Sequence, residues 1–134
     1  MNANVKWIGK KQLLGTSASG HGILMDGSAG EIAPSPMEVV LMGMGACSSI
    51  DVLEILQTGR QALLACEVEL SSERAPEPPR VFTAMHAHFL VTGSELSEKK
   101  VQRAIDLSMD KYCSVAKMLE KSVKITSSFT IINA

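Results

Sequence analysis

Aromatic residues are scarce, 4% of 134 positions, and base-stacking platforms for single-stranded nucleic acid depend on them. An excess of either charge is also lacking: 13 Lys and Arg stand against 14 Asp and Glu, a formal net charge of −1. That balance removes the basic footprint a nucleic-acid or anionic-membrane partner requires. Cysteine is sparse and odd in number, with only Cys47, Cys66 and Cys113, too few for the disulfide framework of a small secreted domain. The stretch from Met1 to Trp7 has no apolar signal-peptide core. The longest apolar run, Met37 to Ala46, is interrupted by Glu38 and is too short to span a bilayer. These absences predict a soluble, cytoplasmic protein with no nucleic-acid and no membrane partner. In that compartment thiols are kept reduced, so the cysteines are either packing groups or working groups.

Hydrophobic residues make up 46% of the chain and charged ones 20%, which excludes a disordered polymer. The length suffices for a core without disulfide or metal staples. With eight methionines and few rings, aliphatic and thioether side chains fill it.

The patterning gives the order βββ-α-ββ-αα-β, an α+β fold in a single domain over 1–134. Short strands are expected at Val5–Ile8, Leu13–Ala18 and Ile23–Met25, the last closed by the turn dipeptide Asp26-Gly27. Ser35, Pro36 and Glu38 form a capping box with proline at the first helical position. The helix they open runs to about Gln57, with Gly59 as its stop. Its first half is apolar nearly all round, which predicts burial on most sides and a second subunit to provide part of it. Gly43, Gly45, Ala46, Ser48 and Ser49 leave room for a close neighbour. Cys66, Val68 and Leu70 alternate with Glu67 and Glu69 as one strand. Val81, Thr83, Met85, Ala87, Phe89 and Val91 form one face of the next. Between them Arg74 to Arg80 is a proline-stiffened hairpin loop. Val101, Ala104, Ile105, Ser108 and Tyr112 have helical spacing from Ser97 onward. A further helical segment holds Val115, Met118 and Leu119, and Val123 to Ile131 alternates as the last strand.

Several residues carry candidate chemistry. Cys47 lies mid-helix among small residues and is either a buried thiol or a nucleophile in a shaped pocket. Its position gets no help from a helix N-terminus, so a thiolate there needs a cation or donors from elsewhere. Cys113 stands where one helical segment yields to the next, and a helix start favours a thiolate; Lys111 is near in sequence. Cys66 is a packing residue. His86 and His88 share one side of a strand, and His-x-His can be half of a metal site. That face also carries Phe82, Ala84 and Leu90 and offers no third ligand, so no metal is expected. His21, between two glycines, is a loop residue or a polar group offered to a pocket. Glu38 is explained by the capping box, with a functional carboxylate as the alternative. Asp51 and Glu54 lie on the helix edge, Asp51 one turn beyond Cys47.

Two segments together resemble the OsmC/Ohr family, and most of all its YhfA-like branch. One runs Ala33-Pro-Ser-Pro-Met-Glu-Val-Val-Leu-Met-Gly-Met-Gly-Ala-Cys47-Ser-Ser-Ile-Asp-Val52. The other is Asp110-Lys-Tyr-Cys113-Ser-Val-Ala-Lys117. The likeness covers essentially the whole chain, including element order. It implies an intertwined homodimer whose sheets wrap two long central helices, with two active sites at the dimer interface. It also implies a thiol peroxidase acting on organic hydroperoxides. Carried over, Cys47 matches the peroxidatic cysteine and Cys113 the resolving one. The first becomes a sulfenic acid and the second condenses with it to a disulfide, which a lipoyl-type dithiol reductant reopens. No metal, flavin or haem cofactor is implied.

Two positions depart from the family pattern. Ohr enzymes support the thiolate with an N-terminal arginine and with a glutamate directly after the helix-start proline. Here no arginine precedes Arg60, Met37 follows Pro36, and Glu38 comes one residue later. His21 and Glu38, with Lys10 and Lys11, are left as the groups to support the Cys47 thiolate. The departures keep two other readings open: a module binding a small apolar ligand, and a thiol redox sensor.

Overall fold

In the computed structural model, which describes residues 1–134, the strands and helices follow the order expected from the sequence. The chain forms two compact units, Met1–Val40 and Leu41–Ala134.

In the first unit β1 (Ala3–Gly9), β2 (Gln12–Ser17) and β3 (Gly22–Asp26) form an antiparallel sheet in that order. The first hairpin is tight because Gly9 and Lys10 both take positive φ, 118° and 48°, beside a bulge after Trp7. Apolar side chains of this sheet stay in the open: Val5, Trp7 and Ile23 are more than half exposed. After the sheet, Asp26 does more than end a strand. It is buried, and its two carboxylate oxygens accept the Ser28 and Ile32 N–H groups at 2.8 and 2.9 Å. Those backbone donors hold its pKa below the ordinary carboxylate value, and they pin the loop that leads to the long helix.

α1 (Pro36–Thr58) opens on the expected capping box. Glu38 Oε1 accepts the Ser35 N–H at 2.9 Å, and Ser35 Oγ accepts the Glu38 N–H at 3.2 Å. Its end differs by one residue from the expected Gly59 stop. Arg60 takes the left-handed conformation, φ 57°. The Gln61 N–H reaches Leu56 O and the Arg60 N–H reaches Gln57 O, the paired bonds of a Schellman ending.

The expectation that α1 is buried on most sides is corrected within one chain. Met44, Ser48, Val52 and Leu56 form a fully buried stripe, whereas Met42 and Ile50 are about half exposed, at 48% and 56%. At 100° per residue these two lie opposite the stripe. The run is also longer than Met37–Ala46 suggested. α1 is long and apolar enough to cross a membrane by length and composition, with 28% of its most apolar window buried.

In the second unit β4 (Ala62–Arg74), β5 (Phe82–Ser94) and β6 (Lys124–Asn133) form a sheet in that order. β4 and β5 are antiparallel, but β5 and β6 are parallel, because α2 (Glu98–Leu107) and α3 (Ser114–Leu119) carry the chain back across the sheet. Met85, Ala87, Phe89 and Val91 are buried as expected, but Val81 and Thr83 are not; Phe82 is. The pairing explains this. Arg74 faces Phe82 while Glu73 faces Ala84, so Thr83 is an extra residue and a bulge flips the alternation.

Candidate functional site

The connection between α2 and α3 is a π turn, Ser108–Tyr112. It inserts a residue into the helical phase, so Ser108 and Met109 are buried while Tyr112, expected on the same face, is 50% exposed. The turn ends on Cys113, whose N–H donates to Ser108 O at 2.7 Å. Cys113 is the N-cap of α3, its Sγ accepting the Ala116 N–H at 3.4 Å. On its other side Sγ lies 3.9 Å from Met44 O of α1. Met44 is three residues before Cys47, nearly one turn away, and the Cys47 side chain is near enough to Cys113 to help raise its pKa. The structure therefore brings together two thiols 66 residues apart in sequence, both free. Cys47 is half-buried and Cys113 fully buried.

The expectation that a helix start makes Cys113 a thiolate is overturned. Burial, reinforced by the Cys47 neighbour, pushes the thiol from 9.0 up to about 11, and the Ala116 N–H lowers it only in part. Lys111 does not act as its cation: Nζ lies over the Tyr112 ring, 5.3 Å from the centroid.

Ser108 is a site residue that sequence reasoning passed over. Its hydroxyl lies 2.9 Å from Asp51 Oδ2 and 3.2 Å from Ser48 O. The signal was present: a serine on an apolar helical stripe must find a partner when buried. Asp51 also lines a cleft of about 620 Å³ together with Glu54, Ile55, Arg103, Leu107 and Tyr112.

The remaining candidates have local partners of their own. Glu38 is engaged by Ser35, and that donor lowers its pKa. His21 is exposed in the N-terminal unit, its Nδ1 paired with Ser19 Oγ at 3.1 Å. Cys66 sits on β4 opposite Val91, and burial raises its thiol pKa. His86 and His88 form a hydroxyl ladder with β6. His86 bonds Thr126 at 2.7 Å and Ser128 at 2.8 Å, and His88 bonds Ser128 at 2.6 Å and Thr130 at 3.0 Å. Phe82 does not share their face, since the bulge turns it inward.

Residues 27–128 match the family model of the OsmC-like protein. The chain is 58% identical to Protein YhfA of Escherichia coli over 134 residues, 100% of both chains. A structure solved in structural genomics is 57% identical, covers 100% of both chains and superposes with a TM-score of 0.94. A more distant structure, an organic hydroperoxide resistance protein OsmC from Legionella pneumophila, shares the fold. It is 15% identical, covers 97% of each chain and has a TM-score of 0.72.

Proposed function

The chain belongs to the OsmC-like protein family, and on that premise we propose that it is a two-cysteine thiol peroxidase for organic hydroperoxides. The observation that carries the reading is the Cys47–Cys113 juxtaposition: a partly buried thiol beside a fully buried one. The Cys47 thiolate attacks the peroxide oxygen and the O–O bond breaks. Cys47 becomes a sulfenic acid and the alkoxide takes a proton to leave as an alcohol. Cys113 sulfur then displaces the sulfenic oxygen, which leaves as water carrying the thiol proton, and the Cys47–Cys113 disulfide forms. A dithiol of the lipoyl type returns both thiols by exchange, becoming a cyclic disulfide itself. The buried, protonated state of Cys113 suits this division, because a thiol held far above its ordinary pKa resists direct oxidation. A resemblance of fold to a protein named for organic hydroperoxide resistance supports the substrate class.

The working unit in this reading is a homodimer in the cytoplasm. The apolar stripe through Met42 and Ile50 and the open apolar sheet of the first unit support a second copy as cover. Glu38 is committed to Ser35, so His21, Lys10 and Lys11 are the N-terminal candidates to support the Cys47 thiolate.

The test is stoichiometric. Without reductant, one protomer consumes one equivalent of cumene hydroperoxide and yields a Cys47–Cys113 disulfide. With Cys113→Ser the same equivalent leaves a dimedone-reactive sulfenic acid, and with Cys47→Ser consumption stops. Equal consumption by wild type and Cys47→Ser refutes the reading.

A further inference from the structure

The π turn next to Cys113 is held from outside its own helix. A π turn is rare, occurs mostly as a single turn, and is frequent at functional sites. Here Ser108 begins it, is fully exhausted of solvent contact, and reaches α1 through its side chain. One hydroxyl has one proton to donate; Asp51 Oδ2 at 2.9 Å is the shorter and charged acceptor, and Ser48 O at 3.2 Å the second. Through its carbonyl the same residue accepts the Cys113 N–H at 2.7 Å. Ser108 thus connects the α1 turn just past Cys47 with the backbone of Cys113. The other polar ties of Cys113 Sγ, at 3.4 and 3.9 Å, are weak sulfur bonds.

We propose that Asp51 and Ser108 form a clamp that positions Cys113 against Cys47 and thereby sets how readily the two thiols close to a disulfide. The proposal rests on the two-thiol reading above. Neither residue touches a reacting atom; both are positioning residues. The clamp also gives a task to a hydroxyl on an apolar stripe.

The experiment compares Ser108→Ala, Asp51→Ala and the double variant with Ser108→Thr and Asp51→Asn, which keep a donor and an acceptor. Two quantities are read on the folded full-length chain: the Cys47–Cys113 equilibrium against the glutathione couple, and the rate of Cys113 alkylation by iodoacetamide in the reduced protein. Each alanine variant is expected to lower the disulfide equilibrium constant about tenfold and to speed Cys113 alkylation, with the double variant no worse than either single one. Ser108→Thr and Asp51→Asn recover most of the loss. A purely structural role lowers thermal stability and leaves the disulfide equilibrium in place. If the wild type forms the disulfide but neither quantity moves in the alanine variants, or if their effects simply add, the clamp is refuted and the two-thiol reading survives. If the wild type forms no such disulfide, both fall. Should Ser108→Ala fail to fold, Asp51→Ala and Asp51→Asn give the same comparison from the half-buried partner.

Discussion

Gly45 of α1 and Leu70 of β4 meet so closely that a Cβ on Gly45 would stand 2.5 Å from Leu70 Cδ1. The small residue is sized by a side chain of the sheet, so Gly45→Ala sets a helix-propensity gain of about 1 kcal/mol against overpacking of about 1–3 kcal/mol. The expected net result is destabilisation by about 1 kcal/mol, measured by urea denaturation. Leu70→Ala in the Gly45→Ala background should cost less than Leu70→Ala alone, because the added methyl fills part of the cavity.

The exposed stripe of α1 predicts the oligomeric state. Light scattering should show a dimer down to low micromolar concentration. Ile50→Glu or Met42→Glu should shift it to monomer, because burying an unpaired carboxylate in an apolar contact costs several kcal/mol. A folded wild-type monomer at that concentration removes the dimer from the proposal.

Cys113 predicts an alkaline limb. Its folded pKa, about 11, lies above the ordinary 9.0. The folded chain therefore holds a proton that the unfolded chain releases. The contribution is intact below pH 9 and is lost as pH rises toward 11. Melting temperatures of the reduced protein should fall across that window, and the fall should be shallower in Cys113→Ala.

Ser128 joins two histidines, with its Oγ 2.8 Å from His86 Nε2 and 2.6 Å from His88 Nδ1. Ser128→Ala leaves both ring nitrogens to water at this half-buried face. It should cost about 1 kcal/mol in chemical denaturation without changing hydroperoxide consumption. Loss of activity in a folded Ser128→Ala protein would place the ladder in the site.

The order of elements was readable from the residues because each signal was local. Ser35, Pro36 and Glu38 satisfy the first N–H groups of α1 among themselves. Ser97 does the same for α2, accepting the Lys100 N–H at 3.3 Å, and the alternation through Met85 to Val91 needs only period two. Errors arose where one residue changes the phase. The bulge at Thr83 turned Phe82 inward, and the π turn turned Tyr112 out. Neither insertion leaves a mark in composition, because it is settled by which hydrogen bonds the neighbouring strand or helix can complete.

The sequence by itself determined the α+β order, the start of the long helix and the two cysteines worth watching, since capping, periodicity and residue chemistry act over a few positions. Tertiary structure alone decided that Cys47 and Cys113 are neighbours, that Cys113 is protonated despite capping a helix, and that Ser108 answers to Asp51. Proximity across 66 residues depends on how α1 and the α2–α3 segment pack, and a thiol pKa depends on the water that packing removes.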